Sequence, residues 1–397
     1  MYPVLDKYQK QQVMKIAYLG KMQLTDVDFS YLHEAQKIAD ITYYLEISPR
    51  YKNGPAISFN KIHQKSGIFK AKDVYIEFEK YADFVDLDKI YVVNTSGRLW
   101  LIKSIWINIL LFFRLVKNKF DIIHITWPLN VYEFILYLLH KRMVLTVHDP
   151  FPHSWQDTKI VNFRRNVAFF FLKNFIILNR KQRNEFIQFY KLENKKVIDS
   201  NLSSYIYLEA ISKDTINRKA ECEYILAFGK ISRYKGFDYL LPAMKQVHKA
   251  HPNCKLIIAG KGHFHFDVDE YKNLDYIDIR NRFISEEEMI SLVKNCLFMV
   301  CPYTDATQSG VIMTSYAFNK PVLATNVGGL PEMVIDGKYG LVIKERDENA
   351  LVEGINKLLD NKSLLDEFSK NIEDDYAKGK KSWYEIACKL VNEYQTL

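Results

Sequence analysis

The sequence lacks three features that would point to particular protein classes: paired cysteines, a long apolar N-terminal run, and repeated or biased segments. Its five cysteines are scattered and form no CxxC pair, so neither a disulfide framework nor a zinc site is indicated. The first 20 residues do not contain the apolar stretch of a secretory signal. With 15 glycines and 11 prolines there is no low-complexity tract. We therefore expect a globular protein of a reducing compartment.

Positive charge is concentrated in the first half of the chain. Residues 1–205 carry 30 Lys and Arg against 19 Asp and Glu, while residues 206–397 carry 25 against 28. The whole excess lies in residues 98–196, with 17 basic and 6 acidic side chains. This stretch predicts either a surface for an anionic membrane or ligand, or an ordinary solvated face. No nucleic-acid recognition motif accompanies it, so no nucleic-acid partner is expected.

Short apolar strands alternate with segments of helical period, which is typical of βα units on parallel sheets. Helices are predicted at Gly236–Ala250 and Ser285–Asn295, the second opening on a capping box. A polar segment near residues 200–220 separates two sheets. The predicted strands are Lys15–Leu19, Ile41–Leu45, Ile90–Val93, Asp121–Ile125, Val144–Val147, Phe175–Leu178, Tyr224–Phe228, Lys255–Ile258, Phe298–Cys301, Pro321–Ala324 and Gly340–Ile343.

One apolar segment, Leu99–Val116, approaches the length of a membrane-spanning helix. Lys103 and Arg114 interrupt it, whereas a spanning helix needs roughly 20 nearly uncharged residues. At 100° per residue, Lys103, Arg114 and Lys117 share a stripe about 60° wide. The pattern predicts a mostly buried helix of the first lobe with a narrow solvated face.

A second segment of the basic half, Val161–Asn174, combines arginines with aromatic residues. Arg164 and Arg165 lie among four phenylalanines, a composition that suits a helix on an anionic interface. A buried helix with two surface arginines is an equally supported alternative.

Two glycine-containing loops carry the strongest chemical signal. The strand Tyr224–Phe228 runs into GKISRYKG at 229–236 and then a helix. Backbone amides and the helix dipole can hold a diphosphate there, and the ammonium groups of Lys230 and Lys235 can neutralise it. A lysine-rich surface turn is the alternative reading of this segment alone. In the second loop, Gly310 begins a predicted helix whose amides are available to phosphate.

The ordered motifs together resemble family 4 glycosyltransferases of the GT-B fold. They are G-[KR]-x-S-x-x-K-G at 229–236, AGxG at 259–262, the helix-opening loop after 301, and KPVLATNVGGLPE at 320–332. The likeness covers residues 224–345, and the first half matches loosely through KFDIIHI and VLTVHD. The resemblance implies an α/β protein of two Rossmann-like lobes with a cleft between them. Residues 1–205 would bind the acceptor, 206–375 the nucleotide sugar, and the helix in 376–397 would return to the first lobe.

The resemblance also implies the reaction. A retaining, metal-independent transferase of hexosyl type would move a sugar from a UDP- or GDP-linked donor to a lipid-linked or cell-surface glycan acceptor, without a cofactor. Its place would be the cytoplasm, with peripheral contact at the inner face of the membrane through the basic first lobe. The DVDE run at 267–270 is interpreted as a solvated loop, because a metal-binding DxD belongs to a different glycosyltransferase fold.

Site residues follow from the motif positions. His148, Lys235 and Lys230 take catalytic roles: the lysines at the leaving diphosphate and His148 near the donor sugar. His124 and His153 are interpreted as structural. Donor contacts are expected from Gly229, Arg282, Phe283, Asp305, Thr307, Gln308, Ser309, Gly310, Val311 and Ser315.

The chain departs from the family at two of these positions. Where the family has two glutamates eight residues apart, this sequence has Thr307 and Ser315, and Asp305 is a nearby substitute acceptor. Two alternatives therefore stay open: a catalytically silent nucleotide-binding partner subunit, and a sugar-nucleotide epimerase of the same fold.

Overall fold

A computed structural model describes residues 13–48, 51–59, 61, 65–95, 100–151, 158–212 and 222–397. The chain divides into two compact units, residues 1–200 with 386–397 and residues 201–385. The first boundary thus lies five residues before the predicted one, and the return to the first unit begins after residue 385.

The first unit is built on an eight-stranded sheet. Its strands are β1 Lys15–Lys21, β2 Asp40–Ile47, β3 Gly67–Lys70, β4 Ile90–Asn94, β5 Ile122–Ile125, β6 Met143–Val147, β7 Asn174–Ile177 and β8 Lys196–Asp199. Its α-helices are α1 Thr25–Ala35, α2 Ala71–Val74, α3 Trp100–Asn118, α4 Lys159–Phe171 and α5 Arg183–Tyr190. Short 3₁₀ segments occupy Met22–Leu24, Ile76–Tyr81, Leu87–Lys89 and Val131–Arg142.

The strand order of this sheet is β3-β4-β2-β1-β5-β6-β7-β8, and only β3 runs antiparallel. Strand β1 lies in the centre, and its residues 16–20 are buried because helices cover both faces of a parallel sheet. The chain crosses from β4 on one side of β1 to β5 on the other, so β1 and β5 form a topological switch point.

The second unit is built on a sheet of six strands. They are β9 Tyr224–Phe228, β10 Lys255–Gly260, β11 Ile277–Asn281, β12 Met299–Cys301, β13 Val322–Thr325 and β14 Gly340–Ile343. Its helices are α6 Tyr207–Ile211, α7 Phe237–Ala250, α8 Asp269–Lys272, α9 Glu286–Asn295, α10 Gly310–Tyr316, α11 Leu330–Met333, α12 Glu348–Asp360 and α13 Lys362–Glu373, with a 3₁₀ turn at Arg233–Lys235 and a π-helical turn at Asp374–Lys378.

All six strands are parallel, in the order β11-β10-β9-β12-β13-β14. This is the doubly wound Rossmann order, with its switch point between β9 and β12. The predicted α/β class with Rossmann-like sheets is confirmed. Ser285 caps α9 by accepting from the Glu288 amide (3.2 Å), so the predicted start of that helix is also confirmed.

The final helix, α14 Trp383–Tyr394, begins in the second unit and continues into the first. At its start the Trp383 indole donates to the Ser204 carbonyl (2.7 Å). Near its end the Tyr394 hydroxyl lies 2.9 Å from His124 Nδ1, and Lys196 pairs with Glu393 at 2.8 Å. Both ends are therefore fixed by specific polar contacts.

Helix α3 exists where predicted, but the prediction that it is mostly buried is wrong. Only one narrow stripe faces the protein, namely Ser104, Ile107, Asn108, Leu111 and Leu115. The helix packs on one side only, mainly against the 3₁₀ segment Val131–Arg142, and an apolar surface faces outward. None of the helices in the described ranges combines the length and apolar character needed to cross a bilayer.

Candidate functional site

Two loops emerge side by side at the switch point of the second sheet. One follows β9 and contains residues 229–236, and the other follows β12 and leads into α10. Ligands of doubly wound sheets bind beyond the carboxyl ends of the strands at such a point. The predicted phosphate-binding motifs thus lie where the fold favours a ligand.

Gly229 brings the two loops into contact. Its backbone has φ +112°, which side chains rarely adopt, and its amide donates to the Ala259 carbonyl (3.0 Å). A Cβ built at this position would lie 3.1 Å from Val311 Cγ2 and 3.6 Å from Lys235 Nζ. Gly229, Lys235 and Val311 therefore share one small region.

The side chain of Lys235 is buried, with 5% of the residue exposed, so the alternative of a lysine-rich surface turn is wrong for this residue. The 3₁₀ turn Arg233–Lys235 ends in left-handed Gly236, and this geometry directs the lysine inward. Its amine donates to the Tyr303 hydroxyl and lies 3.8 Å from the centroid of that ring. Burial lowers the pKa of Lys235 to about 8.

No carboxylate forms an ion pair with Lys235 among the described residues. A buried ammonium without a counter-ion is energetically costly, because desolvation of the charge is not offset by a partner. Such groups are candidates for function when they lie in a ligand-binding region. Here an anion beside Lys235 would remove the penalty.

The second loop contributes Ser309, which is almost fully buried, and Tyr303 links it to Lys235. The Ser309 hydroxyl lies 3.4 Å from the Tyr303 hydroxyl, so the three side chains form a chain of polar contacts. Gly310 begins α10 as predicted and is exposed, but α10 has only seven residues. The ammonium of Lys235 is therefore a stronger candidate for binding an anion than the dipole of this short helix.

The glycines of the NVGG segment hold this loop in place. Gly328 has φ +48° and lies so close to the Ala306 carbonyl that any side chain would collide with it. Gly329 donates to the same carbonyl (3.4 Å). These contacts of Gly328 and Gly329 fix residues 305–308. Asp305 is exposed, and Thr307 and Gln308 are half-buried.

Ser315 is placed differently from the other predicted donor contacts. It is fully buried in α10, and its hydroxyl donates to the Lys320 carbonyl at 2.8 Å. That bond stabilises the turn after the helix. The geometry favours a structural role for Ser315, and its contact with a donor stays a prediction.

Three further predicted residues lie at the surface of the second unit. Lys230 is exposed at the start of the first loop. Arg282 is exposed and its guanidinium forms paired bonds with the Glu288 carboxylate, both at 2.7 Å. Phe283 is 78% exposed, which leaves its ring available for a flat ligand. Their roles at diphosphate and base stay predictions.

His148 lies in the first unit, directly after β6. Its Nε2 is buried and has no hydrogen-bond partner among the described residues, and the Trp127 ring lies 6.4 Å away. Burial lowers the pKa of His148 to about 4, although Asp149 raises it slightly. A neutral imidazole with an unpaired buried nitrogen is suited to a hydrogen bond with a ligand hydroxyl.

His124 is structural, as predicted. It is buried in β5, with Nε2 2.7 Å from the Thr146 hydroxyl and Nδ1 bonded to Tyr394 of α14. Burial lowers the pKa of His124 to about 3, so it stays neutral. His153, the other histidine interpreted as structural, lies outside the described residues.

Arg164 and Arg165 do not form the predicted basic surface. Arg164 donates to the carbonyls of Leu129 (3.1 Å) and Pro128 (2.5 Å). Arg165 is buried, donates to the carbonyls of Asp149 and Pro150, and stacks over Phe169. Both guanidiniums bind the loops after β5 and β6, so the alternative of two surface arginines is also wrong for Arg165.

No group of three or more potential metal ligands occurs within the described part of the chain. In the DVDE run, Asp267 accepts from the Asp269 amide (2.9 Å), and Lys272 pairs with the Asp269 carboxylate at 2.6 Å. These contacts stabilise the start of α8 at the surface.

Comparison with known proteins identifies the second unit. Residues 210–375 match the family model described as Glycosyl transferases group 1. We call these residues, which resemble that family, the group 1 domain. An uncharacterized glycosyltransferase of Methanocaldococcus jannaschii is 30% identical over 51% of this chain and 57% of its own length. A capsular polysaccharide biosynthesis glycosyltransferase of Staphylococcus aureus is 27% identical over 36% and 38%.

The chain spans about half the length of the first curated relatives that it matches. The fold likeness extends further. The HepE protein of Anabaena, solved with UDP and glucose, superposes with a TM-score of 0.65 over 97% of this chain and 100% of its own, at 15% identity. The GT-B fold expected from the resemblance is confirmed.

One residue of the group 1 domain, Tyr303, was not predicted from the sequence. It is fully buried, lies two residues after the end of β12, and joins Lys235 to Ser309. The sequence places this tyrosine just beyond the carboxyl end of a strand beside the switch point. Because a buried tyrosine hydroxyl usually has a polar partner, that position could have indicated a contact with Lys235 or Ser309.

Proposed function

We propose that this chain is a glycosyltransferase that takes its sugar from a nucleoside-diphosphate donor bound to the group 1 domain. The observation that carries the proposal is Lys235: a buried ammonium without a carboxylate partner among the described residues, at the switch point of a Rossmann sheet. A diphosphate beside it would supply the missing negative charge. The UDP in the Anabaena structure supports this class of ligand.

The chemistry would centre on the leaving group. The bond from the anomeric carbon to the diphosphate oxygen breaks, and the acceptor hydroxyl oxygen forms the new bond to that carbon. Negative charge develops on the leaving phosphate, where Lys235 stabilises it and exposed Lys230 assists. The leaving phosphate accepts the proton of the acceptor hydroxyl, so no separate protein base is required.

Finer features of the proposal come from the family resemblance. They are retention at the anomeric carbon, a hexosyl donor linked to UDP or GDP, and independence from metal and cofactor. His148 would hold a hydroxyl of the donor sugar, which agrees with its neutral ring and unpaired Nε2. Asp305, Thr307 and Gln308 would contact the sugar from the second loop, Ser309 and the amides near Gly310 and Val311 the phosphates, and Arg282 with Phe283 the base.

We infer that the acceptor is a lipid-linked or cell-surface glycan. The capsular polysaccharide relative from Staphylococcus aureus supports this class, as does the basic composition of residues 98–196. Such an acceptor would place the protein at the cytoplasmic face of a membrane.

One observation favours a second candidate, a catalytically silent nucleotide-binding subunit. Thr307 and Ser315 replace the family's glutamates, and the Ser315 hydroxyl is committed to the Lys320 carbonyl. An enzyme is the better-supported function, because the lysines that face the leaving group are present. The missing carboxylates would contact hydroxyls, where neutral hydrogen bonds provide roughly half the strength of charged ones.

The test is turnover of a panel of UDP- and GDP-linked hexoses by the full chain, with lipid-linked sugars and oligosaccharides as acceptors. We expect release of nucleoside diphosphate that requires an acceptor, and a product with the anomeric configuration of the donor. The variant Thr307→Glu should alter donor preference or KM more than kcat. If the parent turns over no donor while Thr307→Glu with Ser315→Glu gains activity, the chain is a silent subunit.

A further inference from the structure

Helix α3 turns its apolar side chains away from the protein. Ile102, Trp106 and Phe113 are 65%, 60% and 62% exposed, and they share one face at 100° per residue. Four further exposed side chains extend this outer face: Leu101, Ile105, Leu110 and Val116. Together the seven residues form an apolar band about 180° wide along 16 residues of helix. We call it the α3 face.

The arrangement of polar groups in α3 is the reverse of an ordinary surface helix. Ser104 and Asn108 lie on the buried stripe, and the Asn108 amide donates to the Ser104 carbonyl at 2.9 Å. Solvent-facing helices normally bury their apolar side and expose the polar one. Exposed apolar bands of this extent mark surfaces that bind a partner or a membrane.

The charged residues beside the α3 face are basic, which favours an anionic partner. Lys103 borders the band, Lys117 lies at its C-terminal end, and both are exposed, while residues 100–118 contain no Asp or Glu. Arg114 is turned inward, bonded to the Tyr44 hydroxyl (3.2 Å) and stacked 4.1 Å from the Tyr91 ring. An apolar face with tryptophan and phenylalanine, bordered by lysines, is the pattern of helices that lie in the interface of anionic membranes.

A second copy of the chain is a poorer occupant. A two-fold dimer with antiparallel α3 helices would bring Lys103 of each copy near Lys117 of the other, because contacts across a two-fold axis are reciprocal. Like charges at such an interface are unfavourable, and α3 supplies no carboxylate to compensate them.

We propose that the α3 face docks this protein on an anionic membrane, with Ile102, Trp106 and Phe113 inserted at the level of the headgroups. The lysines at its margins contact the lipid phosphates. This surface replaces Arg164 and Arg165, whose guanidiniums bind backbone carbonyls, as the membrane contact of the basic lobe. The proposal agrees with the proposed function but does not depend on it, because lipid binding is measured without donor or acceptor.

The experiment measures sedimentation with vesicles of phosphatidylcholine alone and of phosphatidylcholine mixed with phosphatidylglycerol. The parent should bind the anionic vesicles, and Ile102→Gln with Trp106→Gln and Phe113→Gln should reduce the binding constant about tenfold or more. The control is Ile76→Gln, which changes an isoleucine of similar exposure (73%) outside α3 and should bind like the parent. Circular dichroism checks that all three proteins are folded.

Quenching of tryptophan fluorescence gives a second measurement, which reports whether Trp106 lies near the lipid headgroups even when binding is unchanged. Lipids brominated near the headgroup should quench the parent more strongly than Trp106→Phe, which keeps the face apolar and removes the reporter. The proposal is overturned if the parent ignores anionic vesicles, or if the triple variant binds as well as the parent. It is also overturned if the parent is a dimer that the triple variant converts to a monomer without any vesicle binding.

Discussion

Lys21 in the first unit and Lys235 in the second differ in the charge of the groups that surround their ammonium groups. In the first unit the largely buried ammonium of Lys21 donates to the carboxylates of Glu46 and Glu133. In the second unit Lys235 is buried beside neutral groups. Removing one partner of a buried ion pair is strongly destabilising, whereas a buried charge without a counter-ion is a candidate for binding a ligand.

The pKa values express the same contrast. Burial alone would lower the pKa of Lys21, but the carboxylates of Glu133 and Glu46 hold it above its usual value. Burial of Lys235 is not compensated, and its pKa falls to about 8. The difference makes Lys235, and not Lys21, the candidate for binding an anion.

The largest expected effect follows from Lys235→Met, which keeps the length of the side chain and removes its charge. Turnover should fall about 100-fold or more, because a group facing the leaving phosphate is lost. The melting temperature should stay equal or rise, since an uncompensated buried charge disappears. Lys249→Met, at an exposed position of α7, is the matched control and should change neither quantity.

His148→Ala is expected to have the next largest effect. Transfer should fall about 100-fold if the imidazole stabilises the reacting sugar. Nucleotide binding should stay near that of the parent, because the diphosphate site lies in the other unit. Calorimetric titration with UDP and GDP, together with turnover, separates these outcomes. Loss of nucleotide binding would assign His148 a different role.

The pH dependence sharpens the contrast between the two lysines. Because the pKa of Lys235 is about 8 in the free protein, its amine is mostly neutral above that pH. Affinity for a nucleoside diphosphate should then fall up to about tenfold per pH unit, and binding near pH 8 should take up a proton. Calorimetry in buffers of different ionisation enthalpy measures this uptake, which Lys235→Met should abolish.

The lowered pKa of Lys235 also determines how the free energy of unfolding changes with pH. The folded protein releases the Lys235 proton at a lower pH than the unfolded chain, so the free energy of unfolding should gain from this group between about pH 8 and 10.5. Below pH 8 both states are protonated, and the cost of burying the charge is constant. A denaturation series on parent and Lys235→Met isolates the contribution.

The smallest expected effect concerns Arg165 of the first unit, whose guanidinium donates to backbone carbonyls. Arg165→Met should destabilise the protein by about 1–3 kcal/mol, because the carbonyls of Asp149 and Pro150 lose their donors. Affinity for UDP or GDP should be unchanged. Urea denaturation measures the first effect and calorimetry the second. A variant as stable as the parent would show that these bonds contribute little.

Much of the fold could be predicted because strands in the middle of parallel sheets are continuous apolar runs. The three strands that were missed, β3, β8 and β11, all lie at sheet edges. Edge strands are short and carry polar residues, so Gly67–Lys70 and Ile277–Asn281 give weak signals. Their pairing depends on neighbours that the local sequence does not reveal.

The sequence predicted which residues belong to the candidate site, but not how deeply they are buried or which groups they contact. Motif order identified Lys235 and the loop before α10, whereas the direction of the Lys235 side chain depends on a 3₁₀ turn and on Tyr303, 68 residues away. Similarly, the sequence of α3 is apolar on most sides, so periodicity could not determine which side packs inward. Both features depend on tertiary neighbours.

The central claim is that the uncompensated charge of Lys235 holds a nucleoside diphosphate, and equilibrium binding tests it most directly. Parent, Lys235→Met and Lys249→Met should be titrated side by side with UDP and GDP at pH 7. We predict that the parent and Lys249→Met bind at least one nucleotide with equal affinity, and that Lys235→Met binds it about tenfold or more weakly. Equal affinity in all three proteins, or no binding of either nucleotide by the parent, would contradict the account.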